Sequence, residues 1–74
     1  MTRLPTLTAT KVIRALERGG FVFLHQKGSH AQFYHAGRGV LTTVPVHPGD
    51  LPRWLVSKII RQAGLSAAGF RALL

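Results

Sequence analysis

Two tight turns divide residues 21–45 into three short runs, and that division limits what the chain can fold into. The turns are Lys27-Gly28-Ser29 and Ala36-Gly37-Arg38-Gly39. The runs are Phe21–Gln26, His30–His35 and Val40–Val44, rich in aromatic and β-branched residues, and they read as strands. Three consecutive strands joined by short turns make an antiparallel meander. Pro45 ends the third strand or marks an edge. Gly28 supplies a backbone position where positive φ costs little, so the chain can reverse there. Alternation along the middle strand puts His30, Gln32 and Tyr34 on one face and Ala31, Phe33 and His35 on the other. A core-facing Phe33 therefore implies a solvent-facing His30.

Helical periodicity flanks the meander. Ala9, Val12, Ile13 and Leu16 form one stripe, with Lys11, Arg14, Glu17 and Arg18 on the other face. Thr8 is the expected N-cap, and Gly19-Gly20 ends the helix. Residues 2–7 form an extended lead-in. A second stripe runs through Leu55, Val56, Ile59, Ile60 and Ala63. Asp50 is the expected cap of that helix, with Pro52 in its first turn. Gly64 is the expected C′ residue, and Leu65 packs back on the last turn. Ser66 caps a final segment, 67–74, whose apolar Phe70, Leu73 and Leu74 need a surface to dock on. Trp54 and Leu55 read as packing residues rather than as a base-stacking platform. Two helices on one face of a three-stranded antiparallel sheet give a two-layer α+β sandwich whose other face is open.

Charge narrows the partners. Ten Lys and Arg face two acids, Glu17 and Asp50, for a net charge of +8. Such a field draws polyanions. The cations are spread over the whole chain rather than gathered on one amphipathic face, which favours nucleic acid over a membrane surface. The 74 residues suit one small domain, 1–74. With no cysteine, the chain has neither disulfides nor thiolate metal sites, which fits a reducing, cytoplasmic setting. No apolar run reaches the roughly 18 residues of a membrane span. The opening residues lack the apolar region of a secretory signal.

The first turn gathers the chemistry. Lys27, Ser29 and the amides around Gly28 can donate to a phosphate, and His30 follows at once. Histidine has an ordinary pKa of about 6.5 and can give or take a proton at neutral pH. RNA carries its own nucleophile, the 2′-OH, so an RNA-cleaving enzyme need only move protons and stabilise the phosphorane. Arg38 is a further phosphate contact. Tyr34 shares the face of His30 and can stack on a base. Of the other histidines, His25 is placed to neighbour His30 across the hairpin, His35 lies on the side of Phe33, and His47 lies in a loop. No HExxH or Cys pair is present, so no metal ligand set is expected, and no cofactor.

The chain resembles the HicA toxin family of bacterial and archaeal toxin–antitoxin systems. The likeness rests on Gly20-Phe21, Gln26-Lys27-Gly28-Ser29-His30, Thr43-Val44-Pro45, and Ile59 through Gln62-Ala63-Gly64-Leu65-Ser66. It covers roughly residues 8 to 70 in matching order and spacing. The resemblance implies an α-β-β-β-α fold like that of the double-stranded-RNA-binding domain (dsRBD). It also implies cleavage of mRNA, arrest of translation, and inhibition by a HicB-type antitoxin, with any oligomer formed through that complex. The family's functional histidine corresponds to His30. The chain departs from the common pattern in three places. Ala31 stands where many members have a second histidine, Ala67-Ala68-Gly69 where many have acids, and Trp54 where a small residue is common.

The expectation is thus a metal-independent endoribonuclease with His30 as its catalytic histidine and Lys27, Gly28, Ser29, Arg38 and Tyr34 binding substrate. Two alternatives remain open from sequence. One is a non-catalytic RNA-binding module in which His30 contacts a phosphate or 2′-OH. The other is an adaptor whose only partner is an acidic protein.

Overall fold

A computed structural model describes residues 6–74. Residues 2–5 of the expected lead-in lie outside the described part. The order is β1 (Leu7–Thr8), α1 (Ala9–Arg18), β2 (Val22–Lys27), β3 (His30–His35), β4 (Val40–Pro45), β5 (Asp50–Leu51), α2 (Arg53–Gln62) and α3 (Ala67–Arg71). β2, β3 and β4 form an antiparallel sheet in sequence order, as the turns require. The arrangement is α+β and consistent with the dsRBD-like fold expected.

Both main helices end as their sequences dictate. Thr8 caps α1, its hydroxyl accepting from the Lys11 N–H at 3.3 Å. At the far end the Phe21 N–H reaches the Leu16 carbonyl and the Gly20 N–H the Glu17 carbonyl, each at 3.0 Å. α2 closes in the same way, with Leu65 N–H to Ile60 O at 3.1 Å and Gly64 N–H to Arg61 O at 3.0 Å. This double bond pattern needs a left-handed residue at C′, and Gly64 has φ +72°.

The start of α2 differs from the expectation. Asp50 does not cap it. Asp50 pairs with Thr8, and Leu51 with Leu7, in a second, two-stranded sheet. Pro52 is the N-cap residue, and no side chain bonds the first turn. Burial of both leucines, each at most 3% exposed, draws the two segments together. That contact outweighs a cap worth about 1 kcal/mol.

One core joins the helices to the inner face of the sheet: Val12, Ala15 and Leu16 of α1, Phe33 and Val44 of the sheet, and Ile59 of α2 with Ala63 at its C-cap. Phe70 and Leu73 of the apolar C-terminal segment dock on this core, while Leu74 stays exposed. Phe70 is fully buried, Leu73 packs beside it, and the Arg18 guanidinium donates to the Leu73 carbonyl at 2.9 Å. Thr42 is the buried polar residue of the sheet. Its hydroxyl donates to Ile59 O at 3.0 Å and lies 3.3 Å from Gln62 Oε1. This bond fixes α2 along β4, an outer strand of the sheet.

β2 is the other outer strand, and all six of its residues are exposed. Among the described residues, no helix is long and apolar enough to cross a membrane.

Candidate nucleic-acid interface

His30 opens β3, the central strand, so it has a neighbour on each side. Lys27 of β2 and Pro45 of β4 are its register partners. The β2–β3 loop is only Gly28-Ser29, because Lys27 and His30 already pair. Gly28, at φ +60°, takes the first central position, where a type II′ hairpin turn calls for glycine. Lys27 is thus a strand residue, not a turn residue. A directly opposed pair holds its Cβ atoms about 5 Å apart on one face, so the Lys27 and His30 side chains leave the sheet as neighbours. The turn is pinned on both flanks. Gln26 Nε2 donates to Gly28 O at 3.0 Å, and the Val46 N–H donates to Ser29 O.

A bulge decides which β2 side chains join this face. The register passes from Phe23↔Phe33 to His25↔Gln32, leaving Leu24 unpaired. One extra residue moves everything after it to the opposite face from simple alternation. Residues opposite each other share a face, so His25 and Lys27 stand with His30, Gln32 and Tyr34 on the open side. His25 is opposite Gln32 rather than His30 itself.

On its other flank His30 meets α2. A cleft of about 150 Å³ is lined by His30, Thr43, Pro45, Leu55, Lys58, Ile59 and Gln62. Leu55, Lys58, Ile59 and Gln62 fall at i, i+3, i+4 and i+7, one face of the helix. Leu55 and Ile59 supply the apolar wall, Lys58 a cation and Gln62 an amide. Lys58 and Gln62 are exposed, as is His30. The cleft therefore sets an exposed histidine at the start of a central strand beside Lys58 of the helix, and Lys27 is the histidine's cross-strand partner outside the cleft lining. Those groups suit a phosphodiester, whose charge two ammonium groups can meet while a histidine exchanges a proton.

Sequence reasoning missed Lys58, Gln62 and Thr43. Lys58 was one of ten dispersed cations. The signal lay in its position on the flank of the apolar stripe, three residues after Leu55 and one before Ile59. That position matters once α2 is known to lie along β4.

The remaining expected site residues are spread out. Ser29 is exposed at the hairpin turn, next to His30. Tyr34 is half-buried on the open face, opposite Val22 and Leu41. It lies about 13 Å along the strand from His30. Arg38 is at the far end of the sheet, in the β3–β4 turn. Its guanidinium donates to the Gly64 carbonyl at 2.6 Å, a cation on the C-terminus of α2. His35 is a packing residue. Its ring meets Phe21 edge-on at 5.2 Å, and its Nδ1 accepts from the Arg38 N–H at 3.1 Å. His47 lies in the loop after β4, its Nδ1 3.5 Å from the Pro48 carbonyl. Among the described residues, no three His, Asp or Glu side chains converge in a way that could hold a metal ion.

Leu55 packs against the core as expected, but Trp54 does not. Its side chain is 67% exposed. Along α2 it precedes the stripe by one residue, which turns its ring outward.

The sequence model for the HicA toxin of bacterial toxin–antitoxin systems matches residues 9–65, from the first residue of α1 to the residue after Gly64. No curated protein matches the chain.

Proposed function

Since the chain belongs to the HicA toxin family of bacterial toxin–antitoxin systems, we propose that it is a toxin that cuts mRNA at the His30 cleft and is held inactive by a HicB-type antitoxin. The observation that carries this reading is the cleft itself, where an exposed histidine on a central strand shares one surface with Lys58 and Gln62 of α2 and has Lys27 as its cross-strand partner.

In the proposed reaction the RNA 2′-oxygen attacks the adjacent phosphorus. An O–P bond forms at the 2′ position, the bond to the 5′-oxygen breaks, and one proton moves from the 2′-OH toward the departing 5′-oxygen. His30 carries that proton as general base or general acid. Lys27 and Lys58 bind the phosphate from either side and meet the charge that builds on its oxygens. Ser29 and the turn amides add donors at the hairpin. Gln62, whose amide is held near the Thr42 hydroxyl, is positioned to orient a ribose or phosphate oxygen. Tyr34 remains a candidate for stacking on a base farther along the open face. Arg38 belongs with the clamp on α2, away from the cleft, so its phosphate contact is not retained in this scheme. The protein acts in the cytoplasm, where mRNA and antitoxin meet it.

The test mixes an excess of purified protein with a structured RNA in EDTA. Cutting that is lost in a folded His30→Ala protein supports the reading. A mobility shift without cutting overturns it in favour of a binding module. No effect on the RNA would point to a protein-only partner.

A further inference from the structure

The largest apolar side chain of α2 is not used by the core. Trp54 is 67% exposed, more than any other large hydrophobic residue of the described chain. Leaving an indole in water forgoes a large burial gain that a ligand would recover. Helical geometry places it beside the cleft. Lys58 follows Trp54 by four residues, about 40° around the helix and about 6 Å along it. Leu55, the next residue, already lines the cleft. Trp54 is not itself among the residues that line the cleft; around the helix it stands next to Lys58, on the side away from Leu55 and toward solvent. Its surroundings are cationic. α2 has no acid in its ten residues and carries Lys58 and Arg61 at i+4 and i+7 from the tryptophan.

We propose that Trp54 is a stacking platform for the nucleobase next to the scissile phosphate, which makes it a substrate-positioning and specificity residue for this chain. The inference rests on the ribonuclease reading and deepens it. A flat aromatic surface beside a phosphate-binding lysine is the usual arrangement for gripping single-stranded RNA: the cation holds the backbone and the ring takes the face of a base. A protein partner also favours an exposed tryptophan. The acid-free helix around the ring, with Lys58 one turn on and Arg61 two turns on, favours a polyanion such as RNA.

The chain has one tryptophan, so intrinsic fluorescence reports on this ring alone. The probe is a set of short single-stranded 2′-O-methyl oligoribonucleotides, which lack a free nucleophile and leave the measurement independent of cleavage. Binding is followed in parallel by the anisotropy of a dye on the oligonucleotide. The expected result is saturable quenching that tracks the anisotropy curve. Trp54→Ala should bind about tenfold or more weakly, while Trp54→Phe keeps most of the affinity. An abasic residue scanned along the oligonucleotide should weaken the natural protein at one position by the same factor and leave Trp54→Ala unaffected there.

Oligonucleotide binding with unchanged fluorescence and an unchanged Trp54→Ala affinity overturns the inference and leaves the His30 reading standing. Quenching by the co-expressed antitoxin but not by RNA overturns it as well, and assigns the ring to the protein partner. Absence of any RNA binding by anisotropy overturns both readings together.

Discussion

The two ends of the three-stranded sheet carry similar residues and treat them in opposite ways. Each end has a glycine turn, a histidine on β3 and a cation close by. At the β3–β4 end the groups are engaged with one another. His35 packs on Phe21 and accepts from the Arg38 N–H, and the Arg38 guanidinium holds the Gly64 carbonyl. At the β2–β3 end the groups are left unengaged by the fold. Gly28 has nothing within 4 Å of where a Cβ would stand, and His30, Lys27 and Lys58 are exposed. One end spends its polar groups on tying α2 to the sheet. The other leaves the same types of group exposed to solvent. A histidine's role in such a chain is thus read from what its neighbours leave unsatisfied, not from its residue type.

The contrast breaks most visibly at the clamped end. Gly20→Ala would put a Cβ 2.9 Å from His35 Nε2 at a backbone φ of +95°. The His35 ring is held on both sides and cannot swing away cheaply. A loss of about 2–3 kcal/mol is expected, seen as a fall in Tm of roughly 8–24 °C for a domain of this size. A shift of only a degree or two would show that His35 is loosely seated.

Lys58→Ala probes the open end. It should slow RNA cleavage at least about tenfold through lost transition-state stabilisation. Thermal unfolding should stay unchanged, because the side chain is exposed. Lys58→Arg should recover part of the rate, since it restores the charge. A normal rate from Lys58→Ala would confine phosphate binding to the hairpin side.

Gly28→Ala sharpens the comparison with Gly20→Ala. The turn is open, so the cost is conformational only, about 1–2 kcal/mol for a non-glycine residue at positive φ. Equal losses from the two substitutions, measured by urea unfolding, would mean that the ends are equally packed. The smallest effect is expected from Arg38→Ala. A cation at an exposed helix C-terminus contributes about 0.5 kcal/mol. Stability should dip by that amount while the salt dependence of RNA binding keeps its slope. A flatter slope would return Arg38 to the RNA contacts.

Much of the framework was legible in the sequence. The glycine turns set the strands, the stripes set the helices, and Gly20 and Gly64 mark the helix ends. Alternation from Phe33 placed His30 on the open face. Four features were not legible, each for a physical reason. The two-residue strands at Leu7 and Asp50 are too short to show a period, so their pairing depends on tertiary burial. The Leu24 bulge leaves no sequence mark, yet it decides the face of His25 and Lys27. The shared cleft of His30 and Lys58 is a long-range feature that depends on how α2 lies against β4, where Thr42 bonds Ile59. Exposure of Trp54 also escaped, because a tryptophan beside an apolar stripe reads as core until the helix is oriented.

The most direct measurement compares single-turnover cleavage of one RNA by folded His30→Ala and His35→Ala proteins. His30→Ala should cut at least about a hundredfold more slowly than the natural protein, the lower end of what one general acid–base group supplies, with its Tm unchanged. His35→Ala should melt several degrees lower and cut, while folded, at close to the natural rate. A folded His30→Ala protein that cuts RNA at the natural rate would contradict the assignment of the open end as the active site.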